Sequence, residues 1–412
     1  MRLKFLARLN TDCKGTEARP VVALEHLDSW TGSLVDGVEL LTRDPSAAAG
    51  VATVEPGDVL FGKLRPYLAK TWLADRQVYA STELLCLRPA PGVNPSWFAF
   101  LMSSQPVIDW AVATSDGTKM PRTSWEALGE FRVHLPGEST QEGIARFLQR
   151  ETDRIDGLIA AKRRMTQLLD QRWQSIMSAG VSGRLTPSQG YRTSAIPWLT
   201  NIPMGWREAK LNLLARLGSG HTPSRKQPEW WDNPSIPWIT TGEVEQVRND
   251  RVEYVNETRE MISELGMANS SATLHPVGTV VLCRTASAGY SAIMGRDMAT
   301  SQDFATWTCG PLLKPRFLLL CLRVMRQDLL GRLAMGSTHQ TIYMPEIESI
   351  KVPLPSVDEQ DAVVAAVYGC LPAIDQAISD LDRQVRLLLE RRQAVISAAL
   401  TGALELPKEN VA

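Results

Sequence analysis

A stretch of 51 residues occurs twice in this chain. Residues 135–185 align without a gap to residues 354–404 at a shift of 219, and 15 of the 51 positions are identical. The matches run from Leu135, Pro136 and Gln141 against Leu354, Pro355 and Gln360, through Ile155, Asp156 and Ile159 against Ile374, Asp375 and Ile378, to Gly183 and Leu185 against Gly402 and Leu404. Weaker similarity continues upstream: Gly57 falls against Gly278 and VLFGK against VVLCR at a shift of 221, Gly117 meets Gly336 at 219, and LARL at 6–9 recurs at 214–217. Two copies of one pattern fold as two similar units, and 412 residues suit two domains or more.

Each copy has two parts. The C-terminal part is helical, because Ile374, Ile378, Leu381, Val385, Leu388 and Val395 keep the 4-3 spacing of a coiled-coil seam, broken once at Arg392. In the first copy Ile155, Ile159, Leu169, Trp173 and Ile176 trace the same stripe. Pro372 suits a first helical turn, and the aligned Asp153 follows a plausible N-cap at Thr152. A short helix near 141–150 is therefore expected to break there, with a helix of roughly 28 residues, about 42 Å, running on to Gly183 or Gly402. The N-terminal part is mixed, with β-branched runs such as TVVLC and PWITT between helical stretches. Residues 186–203, rich in Pro, Ser and Thr, read as a linker.

Catalytic signatures are missing. There is no GxxxxGK[ST], GxGxxG after a strand, HExxH or GxSxG, and His26, His134, His221, His275 and His339 have no neighbours at ligand or triad spacing. Asn94-Pro95-Ser96-Trp97 resembles an amine-methylating NPP[YFW] motif without its second proline, and reads better as a helix cap. Cys13, Cys86, Cys283, Cys309, Cys321 and Cys370 are scattered with no CxxC, so reduced core thiols are expected and no metal site. Forty-four Lys and Arg against 45 Asp and Glu give a net charge of -1, which by itself points to no nucleic acid. No apolar run approaches the roughly 20 residues that span a bilayer, and MRLKFLARLNTDCKG lacks a secretory apolar region, so the expectation is a cytoplasmic chain with no membrane partner.

Together GDVLFGKLRPYLAK at 57–70, LGSGHTPS at 217–224 followed by IPWITTGEV at 236–244, GSTHQTIYMPEIESIKVPLPSVDEQ at 336–360 and helical segments ending in VSGRL and LTGAL resemble the specificity subunit of a type I restriction-modification system. The resemblance covers nearly the whole chain and rests on motif order with duplication. It implies an α+β fold: two globular target-recognition domains joined by two long antiparallel coiled-coil-like helices, a pseudo-twofold tandem repeat. The boundaries would be 1–137 and 206–355 for the recognition domains, 138–185 and 356–405 for the helical regions, 186–205 for the linker and 406–412 for a tail. It further implies that each domain reads half of a bipartite double-stranded DNA target. Two modification (methyltransferase) subunits would bring S-adenosylmethionine, restriction subunits would join them, and this chain would bind no cofactor and perform no chemistry. A solitary DNA-modifying enzyme with degenerate motifs and a helical scaffold are the alternatives.

Neither recognition domain is basic overall, so phosphate contacts are expected from focused patches or largely from partner subunits. Lys63, Arg65 and Tyr67 leave an apolar strand after a turn, where a loop can enter a groove and an arginine can reach guanine. Arg284 aligns with Lys63 and shares its loop with Ser287 and Tyr290. Lys119 and Arg122 in SDGTKMPR align near Thr338, His339 and Gln340 in GSTHQT, and Arg225 and Lys226 form a basic pair before Trp230 and Trp231. The tryptophans fit a core or interface better than base stacking, and Arg163, Arg164 and Arg386 fit a solvated or partner-facing helix surface.

Overall fold

After the turn at Gly57, whose φ of +93° suits a residue without a Cβ, the run Val-Leu-Phe-Gly forms the strand Val59–Gly62, buried at all four positions. It is central in an antiparallel sheet ordered Ala7–Leu9, Leu84–Pro89, Val59–Gly62, Thr71–Leu73. The computed structural model describes residues 1–12, 17–35, 37–43, 51–335 and 340–404. Cys13, Gly336, Thr338, His339 and the tail 406–412 lie outside them. Packing divides the chain into unit 1, Met1–Thr166 with Ser379–Ala412, and unit 2, Gln167–Ile378. Each unit thus takes a piece of both helical regions.

In unit 1 the core lies between this sheet and the helices Pro95–Met102 and Gln105–Ala113, around Phe61, Trp97, Phe98 and Ile108. Asn94 caps the first of these helices, accepting from the Trp97 N–H at 3.0 Å. A second sheet carries Arg19–Val22, Val78–Ala80 and Ala52–Val54.

Unit 2 repeats the register. Val59 faces Leu87 in unit 1, and Val280 faces Trp307 in unit 2; the turn glycine Gly278 again has a positive φ, +84°. The sheet gains a fifth strand, in the order Ala215–Ser219, Phe304–Cys309, Val280–Cys283, Ser291–Met294, Tyr254–Val255. Beneath it, helix Pro315–Asp328 buries Phe317 through Leu322. Residues 186–203 are packed: a hairpin pairs Tyr191–Thr193 with Asn201–Pro203, and Ile196, Leu199 and Ile202 join the core.

The two copies differ in their helices. The first is a single helix, Glu138–Val181, 44 residues long, with no break near 152. Thr152 is not an N-cap; its hydroxyl donates back to the Leu148 carbonyl at 2.7 Å, and Asp153 keeps the N–H that a continuous helix uses. In the second copy Pro372 supplies no N–H, and the helix divides into Val357–Gly369 and Leu371–Thr401. Gly183 and Gly402 end the helices with φ of +71° and +73°.

The repeated glutamines lock each helix start to its domain. Gln141 is 1% exposed; its amide accepts from the Asn94 N–H at 2.9 Å and donates to the Gly92 and Pro136 carbonyls at 3.1 and 2.9 Å. Gln360 is fully buried and makes the same three bonds to Lys314, Leu312 and Pro355 at 2.8, 2.9 and 3.1 Å.

Against the expectation of no spanning stretch, an 18-residue window within Val357–Thr401 reaches a mean hydropathy of 1.4, long and apolar enough by composition to cross a membrane. Its apolarity has a packing use, since Val363, Val364, Val367 and Ile374 are buried in the core of unit 2.

Candidate nucleic-acid interface

In unit 1 the central strand delivers Lys63 and Arg65 to a loop that docks on a second loop. Lys63 donates its N–H to the Glu83 carbonyl at 2.9 Å and accepts from the Thr123 N–H at 3.0 Å, and the Arg65 N–H reaches the Pro121 carbonyl at 2.7 Å. Residues 116–122 close on themselves through paired backbone bonds between Asp116 and Arg122, with Gly117 at φ +90°. Lys63, Arg65, Tyr67, Lys119 and Arg122 are thereby brought to one end of the sheet, although up to 59 residues separate them in sequence.

Arg65, Tyr67, Lys119 and Arg122 are exposed and Lys63 is half-buried. Arg65 sits in the left-handed region at φ 51°, ahead of a short 3-10 turn at Pro66–Leu68. Arg122 is held by Glu83 at 2.7 Å. Among the described residues, no carboxylate pairs with Lys63, Arg65 or Lys119, which leaves three cations and a phenol beside one strand end.

Unit 2 uses the same backbone wiring with different side-chain chemistry. The Arg284 N–H donates to the Asp303 carbonyl and its carbonyl accepts from the Ile342 N–H, both at 2.8 Å. The Arg284 guanidinium is turned onto the Gln302 carbonyl at 3.0 Å. Ser287 is half-buried and Gln340 is exposed. Tyr290 packs on the apolar cluster of Val281, Ala292 and Phe304, with the Arg326 guanidinium 4.3 Å and the Arg248 guanidinium 5.8 Å from its ring centre. Arg225 is ion-paired with Glu260 and stacked 3.7 Å from the centre of the Trp231 ring, which meets Trp238 edge-on at 5.3 Å; Lys226 is exposed.

The helical stripes are placed in each unit as follows. Ile155, Ile159 and Leu381 are buried in unit 1 and Trp173 and Ile374 in unit 2, while Leu169, Ile176 and Ile378 pack at the rim of the unit 2 core. Val385, Leu388 and Val395 are half-buried. The helices run antiparallel within each unit: Lys162 bonds Gln384 and Asp156 meets Arg392 in unit 1, and the Trp173 and Tyr368 rings lie 5.8 Å apart in unit 2.

Two arginines, neither assigned a role by the sequence, tie the helices to the domains. Arg392, 3% exposed, donates to Asp156 at 2.9 Å, to the Trp30 carbonyl at 2.8 Å and to the Thr31 carbonyl. Arg251 donates to Asp375 at 2.7 Å and Asp170 at 2.9 Å and lies 5.4 Å from the Trp173 ring centre. Asp156 and Asp375 are repeat partners, and so are Arg392 and Trp173. The break in the hydrophobic stripe at Arg392 was the available signal.

Burial pushes the Cys86 and Cys309 thiols up to about 12 and Cys283 to about 11, so these groups stay protonated and unreactive at neutral pH. Burial also holds the His275 imidazole below its ordinary value.

Residues 203–367 match the model of the type I restriction modification DNA specificity domain. The chain is 26% identical over 188 residues to the type I restriction enzyme MjaIX specificity subunit of Methanocaldococcus jannaschii, covering 45% of this chain and 42% of that protein. It is 20% identical over 266 residues to the EcoR124I/EcoR124II specificity subunit of Escherichia coli, covering 61% of this chain and 63% of that one. Over part of its length the chain is similar to type I restriction enzyme specificity subunits. It spans about two fifths of the first relative's length. Its fold matches a solved chain described under complex assembly and conformational transition of the type I R-M system, with a TM-score of 0.71 at 17% identity over 98% of this chain and 97% of the other. The duplicated mixed α/β units and long helices are the architecture that this likeness carries.

Proposed function

We propose that this chain is the sequence-reading subunit of a type I methyltransferase and restriction complex, one unit for each half of a split double-stranded DNA target. The observation that carries this reading is the joining of Lys63, Arg65, Tyr67 and Lys119 at one strand end with their charges unpaired among the described residues. Cations placed this way suit phosphates and guanine edges. Arg284, Ser287, Lys226 and Gln340 take the corresponding part in unit 2, where guanidinium groups already engaged by their own domain leave polar contacts to do more of the reading. Thr338 and His339, outside the described residues, are proposed to take part through the same sequence motif, GSTHQT.

In this reading the chain supplies specificity and no chemistry, binds no cofactor and works in the cytoplasm. Two modification subunits carrying S-adenosylmethionine dock along the helices, where Leu158 and Met165 are 45% and 52% exposed near Arg163 and Arg164, and restriction subunits join that assembly. The deciding experiment is adenine-methylation mapping of the host genome with and without this gene, its modification subunit being present. Loss of methylation at one split motif with a fixed gap supports the reading; an unchanged pattern, with the modification subunit shown to be active, rejects it.

A further inference from the structure

The repeat sets a buried arginine of unit 2 against a serine of unit 1. The helices Pro315–Asp328 and Pro95–Met102 begin 220 residues apart, which puts Arg323 at the place of Ser103. In unit 2 the Arg323 guanidinium is fully enclosed. It donates to the Asp250 carbonyl at 2.8 Å, to the Tyr368 hydroxyl at 3.1 Å and to the Val252 carbonyl, and it lies 3.5 Å from the Asp250 carboxylate. The residues at those places in unit 1 are Trp30, Gln149 and Gly32. Trp30 and Asp250 share a left-handed backbone, with φ of 67° and 58°, so the match holds in structure as well as in sequence.

In unit 1 the same space is a pocket of about 150 Å³, lined by Ser103, Gln149 and Gly32 together with Thr71, Asp153, Asp156 and Arg392. That is room for about five waters. Its charge favours a cation. Arg392 pairs with Asp156, which leaves Asp153, whose carboxylate accepts from the neutral Gln149 amide at 2.8 Å. Two acceptors are also left over. The Thr71 hydroxyl, 1% exposed, has no hydrogen-bond partner, and among the described residues nothing donates to the Gly32 carbonyl, the counterpart of the Val252 carbonyl. Arg392 makes the bond to the Trp30 carbonyl at 2.8 Å and leaves the rest of the unit 2 pattern unmade.

We propose that this pocket binds a guanidinium group from outside the chain, carried by an arginine of a protein partner or by a small guanidinium compound. A guanidinium is planar, offers five N–H donors and has no acceptor. It would donate to Asp153, the Thr71 hydroxyl and the Gly32 carbonyl, all of them acceptors. A metal ion is a poorer match, because among the described residues no group of three or more His, Cys, Asp or Glu could hold one. None of the residues proposed to read DNA lines the pocket, so the inference goes beyond the function proposed above.

Calorimetric titration of the full chain with ethylguanidinium at constant ionic strength tests it. The expected result is one saturable site per chain, with ethylammonium bound at least about fivefold more weakly, because it lacks the planar fork. Asp153→Asn, at an exposed helix position, should weaken binding about tenfold by removing a charge-assisted bond. Ser103→Arg gives unit 1 the residue of unit 2 and should abolish the site. Thr71→Val, which keeps the shape of the side chain, should weaken binding about threefold or more and serves if Ser103→Arg fails to fold by circular dichroism. Repeating the titration on the complex with the modification subunit separates the sources: loss of the site there assigns the pocket to a partner's arginine, and retention assigns it to a free compound. No saturable site, equal binding of ethylammonium, or binding unchanged by the folded variants overturns the proposal.

Discussion

Arg392 of the second long helix donates to Asp156 of the first at 2.9 Å while its other nitrogens hold the carbonyls of Trp30 and Thr31. One side chain thereby joins both helices and a domain loop of unit 1. Burial raises the Asp156 carboxyl above its ordinary value, partly offset by the arginine opposite it. Arg392→Met should destabilise unit 1 by about 2–4 kcal/mol, below the full cost of breaking a buried pair because Asp156 keeps some solvent contact. Asp156→Asn should cost less, since the carbonyl partners of Arg392 remain. Urea unfolding of the three proteins checks the order.

Gln141 and Gln360 make matching sets of three backbone hydrogen bonds in the two units. Replacing either with Ala takes the partner from one half-buried N–H and two carbonyls, a loss of roughly 1–3 kcal/mol in the unit concerned. The effects should be similar in size and independent of one another. Chemical denaturation of both single variants and the double variant measures this, and strong non-additivity would count against two separate clamps.

The cation cluster of unit 1 makes a salt-dependent prediction. Lys63→Ala, Arg65→Ala and Lys119→Ala together should leave the circular dichroism spectrum unchanged. They should flatten the dependence of log K on log salt for the reconstituted complex by about one for each phosphate contact removed. Arg225→Ala, whose charge is already paired with Glu260, should change that slope much less; an equal change would show that pairing does not remove a cation from DNA contact.

Glu359 gives a pH signature. Burial would raise its carboxyl, but hydrogen bonds from the Ser356 hydroxyl, the Ser356 backbone and the Trp206 indole outweigh that and hold it below 4.5. A lowered acid contributes stability that is present above 4.5 and is lost as pH falls through the folded-state value. Thermal melts of the wild type and Glu359→Gln should therefore differ most near pH 7 and converge toward pH 3.

The sequence by itself determined the duplication, the strand at 59–62 with its partner at 280–283, the Asn94 cap, the glycine stops and the faces of the long helices. These follow from local rules: apolar period, cap chemistry and positive φ act within a few residues of where they are read. Tertiary structure decided the rest. Thr152 read as an N-cap predicts a break, but in the fold its hydroxyl donates to the Leu148 carbonyl and the helix Glu138–Val181 runs on unbroken. Tyr290 lies in a loop by sequence, yet the cluster of Val281 and Phe304 and the guanidinium groups of Arg326 and Arg248 hold its ring. Asp375 is paired by Arg251, 124 residues away, while its repeat partner Asp156 is paired by Arg392, 236 residues away. Periodicity marks which face of a helix is turned inward, but the charge that meets it there is chosen by chain segments that only folding brings together.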